Sequence, residues 1–252
     1  MVASFQAPFT PAEALLPQLR AHGYAMLSPA SVGALCGIDI AALTALHASW
    51  DDLAADDYLK DGGHYRKRRH SCFVLEAGAH AIIQVPHRAH WQSLDYNALH
   101  GGMQRWFAPM QDEVVAQPLW PALLLALGGV FSQLCDVRRW HVEAHQFRID
   151  TSDGIGRPTP EGAHRDGVDF VAVFLVGRTG IKGGETRVFE ADGPNGQRFT
   201  LREPWSLLLL DDSRMIHEST PIQPQAPATH GHRDTLVLTY RAGGFQGDDE
   251  AH

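Results

Sequence analysis

After residue 136 the chain breaks into short apolar or alternating runs, each closed off by glycine, proline, aspartate or asparagine. "WHVEAHQFRI", "VDFVAVFLV", "ETRVFEA", "QRFTL", "WSLLLLDD" and "DTLVLTYRA" read as strands. "DTSDGIGRPTPEG", "GRTGIKGG", "DGPNG" and "PIQPQAPATHG" read as the turns and loops between them. Short strands at this spacing, with no helical period between them, cannot build a parallel α/β sheet. They pair antiparallel and close into a sandwich or barrel.

The front half is different. "TPAEALLPQLRAHGYAML" predicts a helix with Thr10 as N-cap, Pro11 at its first position and Gly23 at its end, followed by the strand "YAML". "IDIAALTALHASWDDLAADDYL" predicts a second helical stretch, and the 101–135 segment a third that ends near Gly128–Gly129 or Cys135. No repeat, low-complexity tract or linker separates the halves. The expectation is an α+β, mainly β fold in one domain spanning 1–252. In it a mixed helix and strand region, 1–135, supports a β core, 136–245.

The formal net charge of −8 disfavours nucleic acid as a partner, because binding there needs a broad basic surface. No stretch reaches the ~18 apolar residues needed to span a bilayer, so no membrane is expected. The start lacks a basic segment followed by a long apolar one, so no secretory signal is expected either. Cys36, Cys72 and Cys135 are far apart and match neither a disulfide framework nor a thiolate zinc site, which fits a cytoplasmic protein.

"EGAHRDGVDF" places His164 and Asp166 two apart at the mouth of a strand. In extended backbone those side chains share a face. His217, in "DDSRMIHESTPI", follows a later strand and can return to the same place. Two histidines and one carboxylate form a facial ligand set that suits non-haem Fe(II). Fifteen histidines make a chance match easy. The reading strengthens because Arg233 and Thr235 share a face of the last strand. There an arginine holds a carboxylate through a bidentate pair, with the threonine hydroxyl as an extra donor. Arg241 is a rival with the same parity, but it lies beyond the apolar centre of that strand. His230 and His232, rivals of His217, sit in a proline- and glycine-rich loop and read as solvated.

His164, Asp166, His217, Arg233 and Thr235 together resemble the motif of the Fe(II)/2-oxoglutarate-dependent dioxygenases. "GGET" at 183–186 resembles the turn and strand that many of them carry between the metal-binding segments. The resemblance implies a double-stranded β-helix (jelly roll) core buttressed by the N-terminal helices. It also implies that Fe(II), 2-oxoglutarate and O2 are used. His164, Asp166 and His217 would hold the metal, and Arg233 and Thr235 the far carboxylate of 2-oxoglutarate.

"DGGHYRKRRHSCF", "QSLDYNALHGGMQRWFAP", "HVEAHQFRI", "HRDGVDFV", "GGETRVFE" and "HESTPI" resemble, more narrowly, a bacterial subfamily that includes L-isoleucine hydroxylases. That resemblance implies hydroxylation, or sulfoxidation, of a free aliphatic L-amino acid such as isoleucine, leucine or methionine. The alternatives are an oxygenase acting on protein or RNA, for which "HYRKRRH" would serve, and a cupin-like metal-binding barrel.

A zwitterionic substrate needs a cation and an anion in the pocket. Arg66, Arg69 and Arg148 are candidates for the first, and Asp169 for the second. Gln146 shares a strand face with Arg148. A bound 2-oxoglutarate or amino acid would satisfy that pair, and so would a network across the sheet. Trp140, Phe147, Phe170, Phe174 and Trp205 read as core.

Overall fold

The computed structural model describes residues 6–227 and 229–248. In chain order the elements are α1 (Leu15–His22), β1 (Tyr24–Leu27), α2 (Pro29–Cys36), α3 (Ile40–Ala45), β2 (Arg66–Glu76), β3 (Ile82–Gln84), α4 (Asp112–Val115) and α5 (Leu119–Leu134). Then come β4 (Arg139–Asp150), β5 (Phe170–Thr179), β6 (Ile181–Gly183), β7 (Thr186–Glu190), β8 (Gly196–Phe199), β9 (Leu207–Asp211), β10 (Met215–Ser219), β11 (Ile222–Pro224) and β12 (His232–Arg241).

The strands form a seven-stranded sheet in the order β1-β9-β5-β12-β4-β2-β3, a three-stranded sheet β10-β7-β8 and a pair β11-β6. All the strand pairs are antiparallel. This is the antiparallel, mainly β fold that the strand runs predict and the jelly roll that the family resemblance implies. The sheet crosses the compositional change near residue 136, since β1 and β2 from the front half pair with β9 and β4.

Strand parity divides the large sheet into two faces. On β4, Trp140, Val142 and Ala144 face the helices. So do Phe73 and Leu75 on β2, and Leu236, Leu238 and Tyr240 on β12. Against them lies α5, whose Leu123, Leu124, Leu127, Val130 and Phe131 are buried. Phe131 stacks on Phe170 with ring centroids 4.4 Å apart. The Tyr240 hydroxyl donates to Leu124 O at 3.0 Å. A Cβ at Gly128 would meet Leu75 Cδ1 at 2.7 Å, so glycine permits the close approach of α5 to the sheet. Each large apolar side chain buried here contributes about 1.5–3 kcal/mol before conformational entropy is counted.

One end of the opposite face is filled where Val171, Leu175, Leu208 and Leu210 meet Val188, Phe199 and Met215 of the smaller strands. Beyond that plug, the space between the sheets stays open as a cavity lined by both charged and apolar side chains.

Two front-half expectations change. Thr10 does not cap a helix through its side chain. The first turn is a 3-10 stretch at Ala12–Ala14, and Thr10 N–H donates to Met26 O instead. The stretch after Ile40 is a short helix running into a 3-10 segment, Leu46–Asp52. Gly23 does end α1, with φ of +72°. Among the described residues, no single helix is long and apolar enough to cross a membrane.

Candidate active site

Three short pieces of backbone bring His164, Asp166 and His217 together. His217 lies on β10, paired with Val188 of β7. His164 forms an isolated antiparallel bridge with His217, and the two imidazole centroids are 4.6 Å apart. Asp166 follows at the entry to β5. Its loop is fixed by Asp212, whose carboxylate accepts from the backbone N–H groups of Asp166, Gly167 and Val168 at 2.9, 2.8 and 3.1 Å.

One ligand atom from each of the three residues lies within 4.8 Å of the others. The His164 Nε2 to Asp166 Oδ1 distance is 3.9 Å, and the His217 Nε2 to Asp166 Oδ2 distance is 3.7 Å. These gaps are too long for hydrogen bonds and leave room for an ion among the three. His164 Nδ1 lies 2.9 Å from Gly162 O, which accepts the ring N–H and leaves Nε2 as a free lone pair. Burial, first among the causes, holds His217 well below the ordinary imidazole pKa, so its ring is a neutral donor. The set fits a divalent metal.

Arg233 and Thr235 sit on β12 with their side chains toward the same cavity. Arg233 is 4% exposed and forms no ion pair among the described residues. Burial first, then the Arg178 charge, lowers its pKa to about 10. A buried guanidinium without an anion is costly, and a ligand carboxylate would satisfy it. The residues present therefore also fit 2-oxoglutarate.

The parity of β2 and β4 decides the remaining candidates. Arg66 lines the cavity, and so does Arg68, which the sequence reading left out. Arg69 has the parity of Phe73 and turns to the helix face, where it donates to Asp52 and Pro109. It is not in the cavity. Gln146 also faces the helices, donating to Ser49 Oγ at 2.8 Å, and so is not placed to touch a cosubstrate. Arg148 shares that face and is held by Asp234 and Asp51. Asp169 accepts from Ala242 N–H and lines a separate hollow with Tyr96 and Arg165. Of the core aromatics, Phe147 instead lines the cavity, 4.4 Å beneath the Arg68 guanidinium.

The cavity face of β4 carries Glu143 and His145 in place of Gln146 and Arg148. The signal was in "WHVEAHQFRI": Trp140, Val142 and Ala144 are the apolar parity, so the odd positions must face the cavity. His90, Gln92, Asn97 and Arg105 reach it from the irregular 85–110 segment, which has no period to read. Gln92 Oε1 accepts from Arg105 and Asn97, and its amide donates to Asp166 Oδ1 at 3.3 Å. Glu161 stands beside the triad, with Oε1 3.4 Å from His164 Nε2.

The sequence profile of the 2OG-Fe dioxygenases matches residues 47–239, most of the chain. The chain belongs to the 2OG-Fe dioxygenase family. Family membership makes it an oxygenase that uses Fe(II), 2-oxoglutarate and O2. The structure is similar to that of a bsmA homolog from Methylobium petroleophilum PM1, with a TM-score of 0.90 and 55% identity over 96% of this chain and 97% of that one. It has the fold of IDO from Bacillus thuringiensis, with a TM-score of 0.74 and 19% identity over 91% and 98% of the two chains. It also has the fold of the Fe(II)/(alpha)ketoglutarate-dependent dioxygenase TqaL, with a TM-score of 0.70 and 19% identity over 91% and 86%. No curated protein matches the sequence.

Proposed function

We propose that this dioxygenase hydroxylates, or sulfoxidises, a free aliphatic L-amino acid in the cytoplasm. The observation that carries the reading is a second set of buried cations in the cavity. Arg66, Arg68 and Arg105 all line it, and each keeps an N–H with no acceptor among the described residues: Arg66 Nη2, Arg68 Nε and Arg105 Nε. One carboxylate, Asp56, is bonded to Arg66 at 2.6 Å and lies 3.8 Å from Arg68. Buried polar groups without partners are rare, and a small anion in the cavity would supply the missing acceptors. Arg233 lies apart on β12, which reserves it for 2-oxoglutarate. The arginines of β2 and the 85–110 segment then serve the substrate carboxylate.

Val168, Val173, Val237 and Ile149 line the same space and suit an aliphatic side chain. In this reading His164, Asp166 and His217 hold the metal. Arg233 and Thr235 orient 2-oxoglutarate through its far carboxylate. Fe(II) with 2-oxoglutarate and O2 supplies the oxidising chemistry, which yields succinate, carbon dioxide and an oxygenated substrate. The chain's part is to bind, to orient and to keep water from the reacting carbon. Asp212 positions the Asp166 loop, and Gln92 links Asp166 to Arg105 and so to the substrate end.

The three cysteines are unpaired, as suits a reducing compartment. The test is a panel of free L-amino acids with Fe(II) and 2-oxoglutarate, read by mass spectrometry. Isoleucine, leucine or methionine should gain one oxygen. A panel in which no free amino acid gains oxygen contradicts the reading.

A further inference from the structure

The cavity wall away from the facial triad holds a second cluster of ligand-type side chains. His70, His90, Glu143 and His145 are all buried, with one ligating atom from each within 4.8 Å of the others. Its geometry differs from that of the triad. In the triad the nitrogen-to-oxygen gaps are 3.7 and 3.9 Å, with space between the partners. In the cluster His70 Nε2 lies 3.0 Å and His90 Nδ1 2.5 Å from the same Glu143 oxygen, Oε2. Those are hydrogen bonds already made.

Arg68 settles the tautomer of the third ring. Its Nη2 lies 2.7 Å from His145 Nδ1, and a guanidinium can only donate. Nδ1 is therefore the lone pair, and the His145 proton sits on Nε2, 3.6 Å from Glu143 Oε2. A metal on that Nε2 would move the proton to Nδ1, against the arginine N–H. The cluster is thus a carboxylate held by histidine donors and not a second metal centre.

All three histidines turn toward one oxygen of Glu143. Among the described residues no hydrogen bond reaches the other oxygen, Oε1, and Glu143 lines the cavity. Burial alone would protonate this carboxyl, but His90 and His70 hold its pKa below the usual range. A fixed, ionised carboxylate with one unused oxygen facing the cavity calls for a cationic donor.

We propose that Glu143 Oε1 receives the protonated α-amine of the substrate, while Arg66, Arg68 and Arg105 take its carboxylate. The assignment rests on the free amino acid reading and says which groups sort its two charged ends. Arg68 and Glu143 meet the two nitrogens of the same His145 ring, Nδ1 and Nε2, so a cation and an anion stand close together in one wall of the cavity. Glu161 also has an unpaired buried oxygen, Oε2. Its other oxygen lies against the metal-binding nitrogen of His164, where an ammonium would meet the charge of the ion.

The test pairs an L-amino acid with the 2-hydroxy acid of the same skeleton, which keeps the carboxylate and lacks the ammonium. Both are measured against wild type, Glu143→Gln, Glu143→Asp and Glu161→Gln. Calorimetry on the anaerobic Fe(II) and 2-oxoglutarate protein gives affinity, and turnover gives kcat/KM. Wild type should prefer the amino acid by roughly 10²-fold or more. Glu143→Gln should reduce that ratio to within about 10-fold, mainly through loss of amino acid affinity. Glu143→Asp keeps the charge and should keep the preference at lower affinity. Glu161→Gln should keep the ratio. Metal content should be one ion per chain in wild type and in Glu143→Gln.

An amino acid that binds wild type, with a ratio unchanged in Glu143→Gln, overturns the assignment and leaves the substrate reading standing. Collapse of the ratio in Glu161→Gln instead, or a second metal ion lost from Glu143→Gln, also overturns it. If wild type binds no free amino acid, the substrate reading and the assignment fall together.

Discussion

His164 and His217 exchange both of their backbone hydrogen bonds, His164 N–H to His217 O at 3.1 Å and His217 N–H to His164 O at 2.9 Å. This single antiparallel bridge fixes two side chains from distant segments with their rings on one side. Asp166, two residues on, completes the set without belonging to a strand. Each of His164→Ala, Asp166→Ala and His217→Ala is expected to lower Fe(II) binding to the purified protein, measured by anaerobic titration. Unchanged affinity in all three would remove these residues as the ligands.

Asp212 touches no ligand and still should matter. Its carboxylate gathers three successive N–H groups of the Asp166 loop. Asp212→Ala strips their acceptor, and partners of this kind typically contribute about 10–100-fold to metal affinity. Asp212→Asn keeps one acceptor oxygen and should fall between. Anaerobic Fe(II) titration checks both variants. Wild-type affinity in Asp212→Ala would show that the loop holds its shape unaided.

Arg233→Ala should raise the 2-oxoglutarate concentration required for the charge-transfer band of the anaerobic Fe(II) complex. The expected loss is on the order of 2–5 kcal/mol, as for removing one partner of a buried, hydrogen-bonded charge pair. Arg148→Ala should leave that requirement unchanged. Arg148 is tied to Asp234 and Asp51 on the far face of the sheet, so its loss should lower thermal stability instead. The opposite pattern would place the cosubstrate on the wrong side of β4.

The histidine cluster sets a pH dependence of stability. Burial, ahead of all other causes, lowers the pKa of His70, of His145 and of His90, the last to about 3. In the unfolded chain these imidazoles take up protons near pH ~6.5. The unfolded state therefore binds more protons as pH falls below that value, and stability present above it is lost on the way down. Glu143, with its lowered pKa, adds to the loss at more acidic pH. The melting temperature of the apo-protein should fall steadily from pH 7 to pH 4, and His90→Gln should flatten the slope. A melting temperature constant from pH 7 to pH 5 contradicts this.

Much of the jelly roll is legible in the sequence because its strands alternate and its turns are marked by glycine and proline. Arg233 and Thr235 are legible as same-face neighbours because strand parity gives their facing, whereas His164, Asp166 and His217 stand out by ligand type and order, since Asp166 lies outside any strand. The same rule misplaced Gln146 and Arg148. They do share a face, but the apolar residues of that parity, Trp140, Val142 and Ala144, mark it as the helix side. Arg69 follows Phe73 and Leu75 in the same way. His90, Gln92 and Arg105 come from a segment whose conformation depends on contacts distant in sequence, such as the His90–Arg105 bridge, and no local pattern announces them. Asp212 reads as the end of a strand, and only the folded loop shows what it holds.

The central claim is that the cavity takes a free amino acid by both of its charged ends. Succinate release coupled to product mass, for L-isoleucine, its amide and its N-acetyl form, tests it most directly. Each derivative removes one charge and leaves a buried cavity group unpaired, which a site built for polar groups rejects strongly. The prediction is turnover and a gain of one oxygen with L-isoleucine, and little or none with the other two. Equal turnover of all three would contradict the claim and point to an oxygenase of residues within a larger chain.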